Sequence, residues 1–90
     1  MANDPHGVPV VGLAEVIFVG GPHHNRRMIM AHPELQMQME QDSGERITYC
    51  RRMVEAEMRS GHYVNIATYA PVGITEEEFS RLVMDAARLR

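Results

Sequence analysis

A chain of 90 residues makes one domain, and a 44% hydrophobic content marks it as globular rather than disordered. Its net charge of −3, with basic residues scattered and all nine of them Arg, argues against non-specific nucleic-acid binding. The single cysteine, Cys50, excludes an internal disulfide and fits a reducing compartment. No stretch approaches the ~20 apolar residues that cross a bilayer, so neither a membrane span nor a signal peptide is expected and the chain reads as cytoplasmic.

Residues 1–11, MANDPHGVPVV, hold two prolines and a glycine and read as a flexible N-terminal arm, leaving 12–90 as a single domain. Ala14 to Val19 is continuous, β-branched and aromatic, the pattern of a buried strand. Gly20-Gly21-Pro22 ends it, and Arg27 to Ala31 forms the next strand, so the segment between is a hairpin connection. There Gly20, Gly21 and Asn25 supply turn geometry and Pro22 stiffens it, with His23, His24 and Arg26 expected to project into solvent. After a break at His32-Pro33, Leu35, Met37 and Met39 alternate with Gln36, Gln38 and Glu40, a half-buried strand.

Residues 45–59 fit both a helix and a strand; Ile-Thr-Tyr-Cys favours the strand. Strict alternation then places Ile47, Tyr49, Arg51 and Met53 on one face and Thr48, Cys50, Arg52 and Val54 on the other. Gly61 turns this segment into HYVNIATYA. The last element is the clearest: Thr75-Glu76-Glu77-Glu78 is a capping box, Ile74 and Phe79 are set for a hydrophobic staple, and Phe79, Leu82, Val83 and Ala86 form an inward stripe over about 75–88. The expected fold is α+β, a small antiparallel sheet of four to five strands with one C-terminal helix packed on one face.

The chemistry-bearing motifs are sparse. The Gly-Gly-Pro knot lacks the Gly-Lys-Ser/Thr ending of a phosphate loop, in a chain without Lys. His23 and His24 are adjacent and have no Cys pair or helical His-Glu motif to complete a metal site. Cys50 inside an apolar strand reads as a small hydrophobe rather than a nucleophile. No catalytic residue, metal or cofactor is therefore assigned, and an enzyme is not expected. The arginine pairs Arg26-Arg27 and Arg51-Arg52 each give one Arg to each strand face. With one sheet face left open, Arg, Tyr and Met there would suit protein binding, and His23, His24, Arg26, Arg27, Arg51 and Arg52 are the candidate partner contacts.

AEVIFVGGPHHNRRMIM, ITYCRR and the closing APVGITEEEFSRLV together resemble small uncharacterised proteins of actinobacteriophages, over roughly residues 14–84. Asn25 stands where a Gly usually follows the polar pair in that group. The all-Arg composition agrees with a high-GC mycobacterial host. The resemblance implies a phage accessory protein that binds a host cytoplasmic protein and modulates or inhibits it, with cell-division or polar-growth machinery as a class of target and host toxicity on overproduction. A homodimer is compatible with this reading. The alternative is a small nucleic-acid-associated regulator using Arg26, Arg27, Arg51 and Arg52.

Overall fold

The computed structural model describes residues 12–88, so the expected N-terminal arm lies outside the described residues. Five strands, β1 (Leu13–Phe18), β2 (Arg27–Ala31), β3 (Gln36–Glu40), β4 (Arg46–Arg59) and β5 (His62–Pro71), precede one helix, α1 (Glu76–Arg88). Their order in the sheet is β2-β1-β5-β4-β3. The sheet is mixed rather than antiparallel. Hairpins join β1 to β2, β3 to β4 and β4 to β5, but β1 runs parallel to β5, with Val16 opposite Ala67 and Phe18 opposite Tyr69. The sequence gives the strands by periodicity, whereas the parallel contact joins segments far apart in the chain and leaves no local pattern to read.

Both edge strands are joined directly by residues 32–35. In a flat five-stranded sheet the edges would lie about 19 Å apart, the limit of so short a segment. The strand ends are also offset, since Ala31 pairs with Leu13 whereas Gln36 reaches Cys50, opposite Ala70. The sheet therefore curls, and the linker crosses its concave side.

Curling creates two cores. On the convex side α1 packs Phe79 and Ala86 over Ile17, Val19, Ile66 and Ala70, with Leu82, Val83, Ile74 and Met53 around them. On the concave side Val16, Phe18, Tyr49, Ala67 and Tyr69 are enclosed by Met28 and Met30 from one edge, and by Met37, Met39 and Ile47 from the other end of the sheet. The expected open face is thus a second core. Methionine suits that place because its flexible side chain fills the irregular space between converging edges.

A β-bulge at Arg52 decides which side chains enter which core. Arg51 opposes Tyr69 and Met53 opposes the next residue back, Thr68, so Arg52 is the extra residue. Strict alternation would put Met53 beside Tyr49 and Arg51; the bulge transfers it to the helix side. At the end of this hairpin Ser60 (φ 51°) and Gly61 (φ 81°) take the doubly left-handed turn whose twist matches the strands.

The helix start follows the sequence. Glu78 N–H donates to Thr75 Oγ1 at 3.2 Å, and Ile74 and Phe79 meet in the convex core. Thr75→Ala is expected to lower stability by about 1 kcal/mol in a denaturant melt; an unchanged midpoint would show that the cap contributes nothing.

Candidate functional site

The sequence candidates gather at one end of the sheet, where the β1–β2 loop meets β4. Gly21–His23 form a single 3-10 turn led by Pro22. Gly20 and Gly21 have φ of 81° and 67°, and a Cβ on Gly21 would sit 2.7 Å from the Tyr49 hydroxyl. That close approach is functional for the fold: the Tyr49 hydroxyl donates to the Gly20 carbonyl at 2.8 Å and accepts from the His23 N–H at 3.1 Å. Burial raises the Tyr49 pKa above its ordinary value, against the opposing bond from the His23 backbone, so the phenol stays protonated and keeps its donor role.

The histidines are half-buried and hydrogen-bonded rather than projecting freely. The Gly20 N–H donates to His24 Nδ1 at 2.7 Å, while His24 Nε2 lies 3.5 Å from Asp85 on α1. His23 packs edge-on against Tyr49, with ring centroids 6.0 Å apart. Its Nδ1 lies 3.1 Å from an Arg26 guanidinium nitrogen and its Nε2 3.1 Å from the Glu40 carbonyl. Since guanidinium only donates and carbonyl only accepts, His23 carries its proton on Nε2. The rings therefore bind the loop to α1 and to β3, and each is half-buried. Sequence reasoning read the loop's polarity as solvent exposure; Arg26 is exposed, but the two histidines are half-buried because their rings are paired with Gly20, Asp85, Arg26 and Glu40.

The arginines also serve the fold. Arg51 is only 2% exposed, and its guanidinium donates to the Pro33 carbonyl at 3.3 Å while its backbone N–H donates to Leu35 at 2.8 Å. Tyr69 donates to the Glu34 carbonyl between them. Burial raises the Tyr69 pKa, with the Arg51 charge opposing, so this hydroxyl too remains a donor. Together Arg51 and Tyr69 hold the 32–35 linker across the concave core. Arg52 turns to the other side, where it stands 4.8 Å from the Phe79 ring centre, donates to the Ile74 carbonyl at 3.3 Å and pairs with Glu76. The pair thus locks both layers, its members on opposite faces as strand alternation places them, and the bulge redirects the residues that follow.

Arg27 belongs to a second cluster that the sequence did not reveal. Glu15, 8% exposed, receives Arg27 at 2.9 Å through one carboxylate oxygen and Arg59 at 2.6 Å through the other, and Arg59 also meets Glu57 at 3.2 Å. Burial pushes the Glu15 carboxyl up, but the bonds and charges of Arg59 and Arg27 outweigh it and hold the pKa below the ordinary carboxylate value. The only local hint was a carboxylate inside an apolar strand; Arg59 lies 44 residues away.

Among the described residues, no three His, Cys, Asp or Glu side chains converge to hold a metal ion, and no helix is long and apolar enough to cross a membrane. Cys50 is a half-buried free thiol. The described part of the chain offers no nucleophile–base pair at hydrogen-bonding distance. Large apolar side chains remain exposed singly at Leu35, Val72 and Met84, and as pairs in two places. Met58 (58%) and Tyr63 (73%) face each other across the tip of the β4–β5 hairpin, and Leu13 (70%) and Ile29 (65%) lie on the convex side near β2. Compared with known proteins, the chain matches no family model, no curated protein and no solved structure.

Two outcomes follow from this geometry. Arg51→Ala should lower stability by about 2 kcal/mol or more, because it empties a packed site and strands a buried carbonyl, whereas the exposed Arg26→Ala should stay within about 0.5 kcal/mol. Equal effects in denaturant melts would show that Arg51 is not structural. Glu15→Gln should destabilise at neutral pH. The folded-state pKa of Glu15 is depressed, so its contribution is present above the ordinary carboxylate value and is lost as pH falls through the folded value. The gap between wild type and Glu15→Gln should therefore narrow in melts taken at progressively acid pH, and a gap constant across that range would contradict the ion-pair account.

Proposed function

We propose that the chain is a non-enzymatic protein-binding module, a phage accessory protein that attaches to a host protein and modulates it. The observation that carries this reading is the projecting β4–β5 hairpin. Its tip presents Met58 and Tyr63 as direct cross-strand partners, both more than half exposed, beside Glu57, Arg59 and His62. Tyr and Met are enriched in interface cores, and a rigid hairpin presents them at small entropic cost. The sequence resemblance to small actinobacteriophage proteins supports a host protein as the partner. The contact moves away from Arg51-Arg52 and the histidine loop, whose side chains are committed inside the fold. The same commitments weaken the nucleic-acid alternative, since Arg27 and Arg51 in particular are held by Glu15 and by the 32–35 linker.

The test starts with capture from an actinobacterial host lysate, identification by mass spectrometry, and titration of the purified partner. Met58→Ser with Tyr63→Ser should weaken binding by at least about tenfold, with an unchanged melt because both positions are exposed. Undiminished affinity would remove the hairpin tip from the contact. Salt-sensitive recovery of DNA or RNA instead of a protein would favour the nucleic-acid reading.

A further inference from the structure

The curled sheet does not close, and its two edges differ. Along β3, backbone bonds from Arg51 N–H to the Leu35 carbonyl and from Gln41 N–H to the Glu45 carbonyl bracket the ladder with β4. By antiparallel alternation Met37 and Met39 bond inward, and Gln36, Gln38 and Glu40 turn their backbone groups outward. That edge is polar, and the Glu40 carbonyl is already approached by His23 Nε2 at 3.1 Å. Along β2 the bracketing bonds run from Phe18 N–H to the Arg26 carbonyl and from His32 N–H to the Gly12 carbonyl. Met28 and Met30 therefore bond to β1, and Arg27, Ile29 and Ala31 present N–H and C=O to the outer edge. No strand lies beyond β2 among the described residues. This edge has no Pro, no Lys and no bulge, the usual protections against strand addition.

We propose that the outer edge of β2 pairs antiparallel with β2 of a second copy of this chain, on a two-fold axis through Ile29. The occupant is set by self-complementarity. Centred on Ile29, every outward residue meets an outward residue: Arg27 faces the partner's Ala31, Ile29 the partner's Ile29, and Ala31 the partner's Arg27. A one-residue slip sets outward against inward groups, and a two-residue slip leaves one of the outward residues beyond the partner strand. No like charges oppose each other, because each Arg27 falls opposite Ala31 and is already neutralised by Glu15. On the convex side Leu13 and Ile29 join their counterparts in one apolar strip, and on the concave side Met28 meets the partner's Met30. The register uses β2 and not the β4–β5 hairpin tip, and this pairing does not rest on the function proposed for that tip.

The experiment is sedimentation of the full chain from about 10 µM to about 1 mM, the range suited to a small strand-edge interface, with amide hydrogen exchange at both ends. The expected result is a rise from one chain mass to two, and at least about tenfold slower exchange of the Arg27, Ile29 and Ala31 amides at high concentration. Ile29→Lys, which changes only an exposed side chain, should remain at one chain mass with a wild-type melt, and Ile29→Pro, which removes an outward N–H and also fixes φ at an edge position, should remain at one chain mass. A wild-type chain that stays monomeric throughout overturns the proposal. So does a dimer that survives both substitutions, which would use another surface. Amides already protected at the lowest concentration would also overturn it, because the chain's own residues would then cover the edge. The exchange measurement on the wild type decides the matter if either variant fails to fold.

Discussion

Everything in this fold follows from a connection that is too short. Four residues, 32–35, link strands at opposite edges of one sheet, and no flat sheet can accommodate that. Curvature is forced, and it converts what would be a solvent-facing sheet surface into an enclosed apolar space. The linker then has to cross that space with its carbonyls facing inward, and buried carbonyls need donors. Arg51 and Tyr69 supply them from β4 and β5. A buried guanidinium is costly in isolation; here its donors replace the water that the linker backbone has lost.

The same logic explains why polar residues are spent internally in so small a domain. The convex and concave layers share a single sheet, and charged residues act as clasps at its junctions. Arg52 holds the start of α1 through Phe79, Ile74 and Glu76, while Glu15 draws β2 and the far end of β4 together through Arg27 and Arg59. The glycine–histidine loop closes the remaining end by wrapping Tyr49. Aliphatic content alone would leave these junctions loose, since the convex core is mostly aliphatic and the aromatic centre of the concave core is ringed by methionine.

The sequence exposed the local part of this design. Strand periodicity located β1, β2, β3 and β5, and the box at Thr75 with the staple of Ile74 and Phe79 located α1, because both signals lie within a few residues of one another. Residues 46–59 form the strand that Ile-Thr-Tyr-Cys favours, yet the faces after Arg52 are inverted, since one extra residue at a bulge has no signature in an alternating pattern. The roles of the candidate residues were the least legible. His23, His24, Arg27, Arg51 and Arg52 look alike as surface polarity until Tyr49, Glu15, Pro33 and Phe79 are brought beside them, and those contacts depend on tertiary geometry. Exposed Met58 and Tyr63, by contrast, sat in a β-alternating segment that gave no reason to single them out.

The parallel contact between β1 and β5 also sets an order of events during synthesis. Every other ladder joins neighbours in the chain and can form as soon as its hairpin emerges. β1 acquires its second partner only when residues 65–69 are available, so two separate hairpin units must wait and then close around one long-range pairing. Loop closure on that scale makes docking of β5 on β1 the natural late step of folding. Until then an apolar strand, Ala14–Phe18, stands with one side unpaired, and the nascent protein is most vulnerable to association through the very element that becomes its most buried.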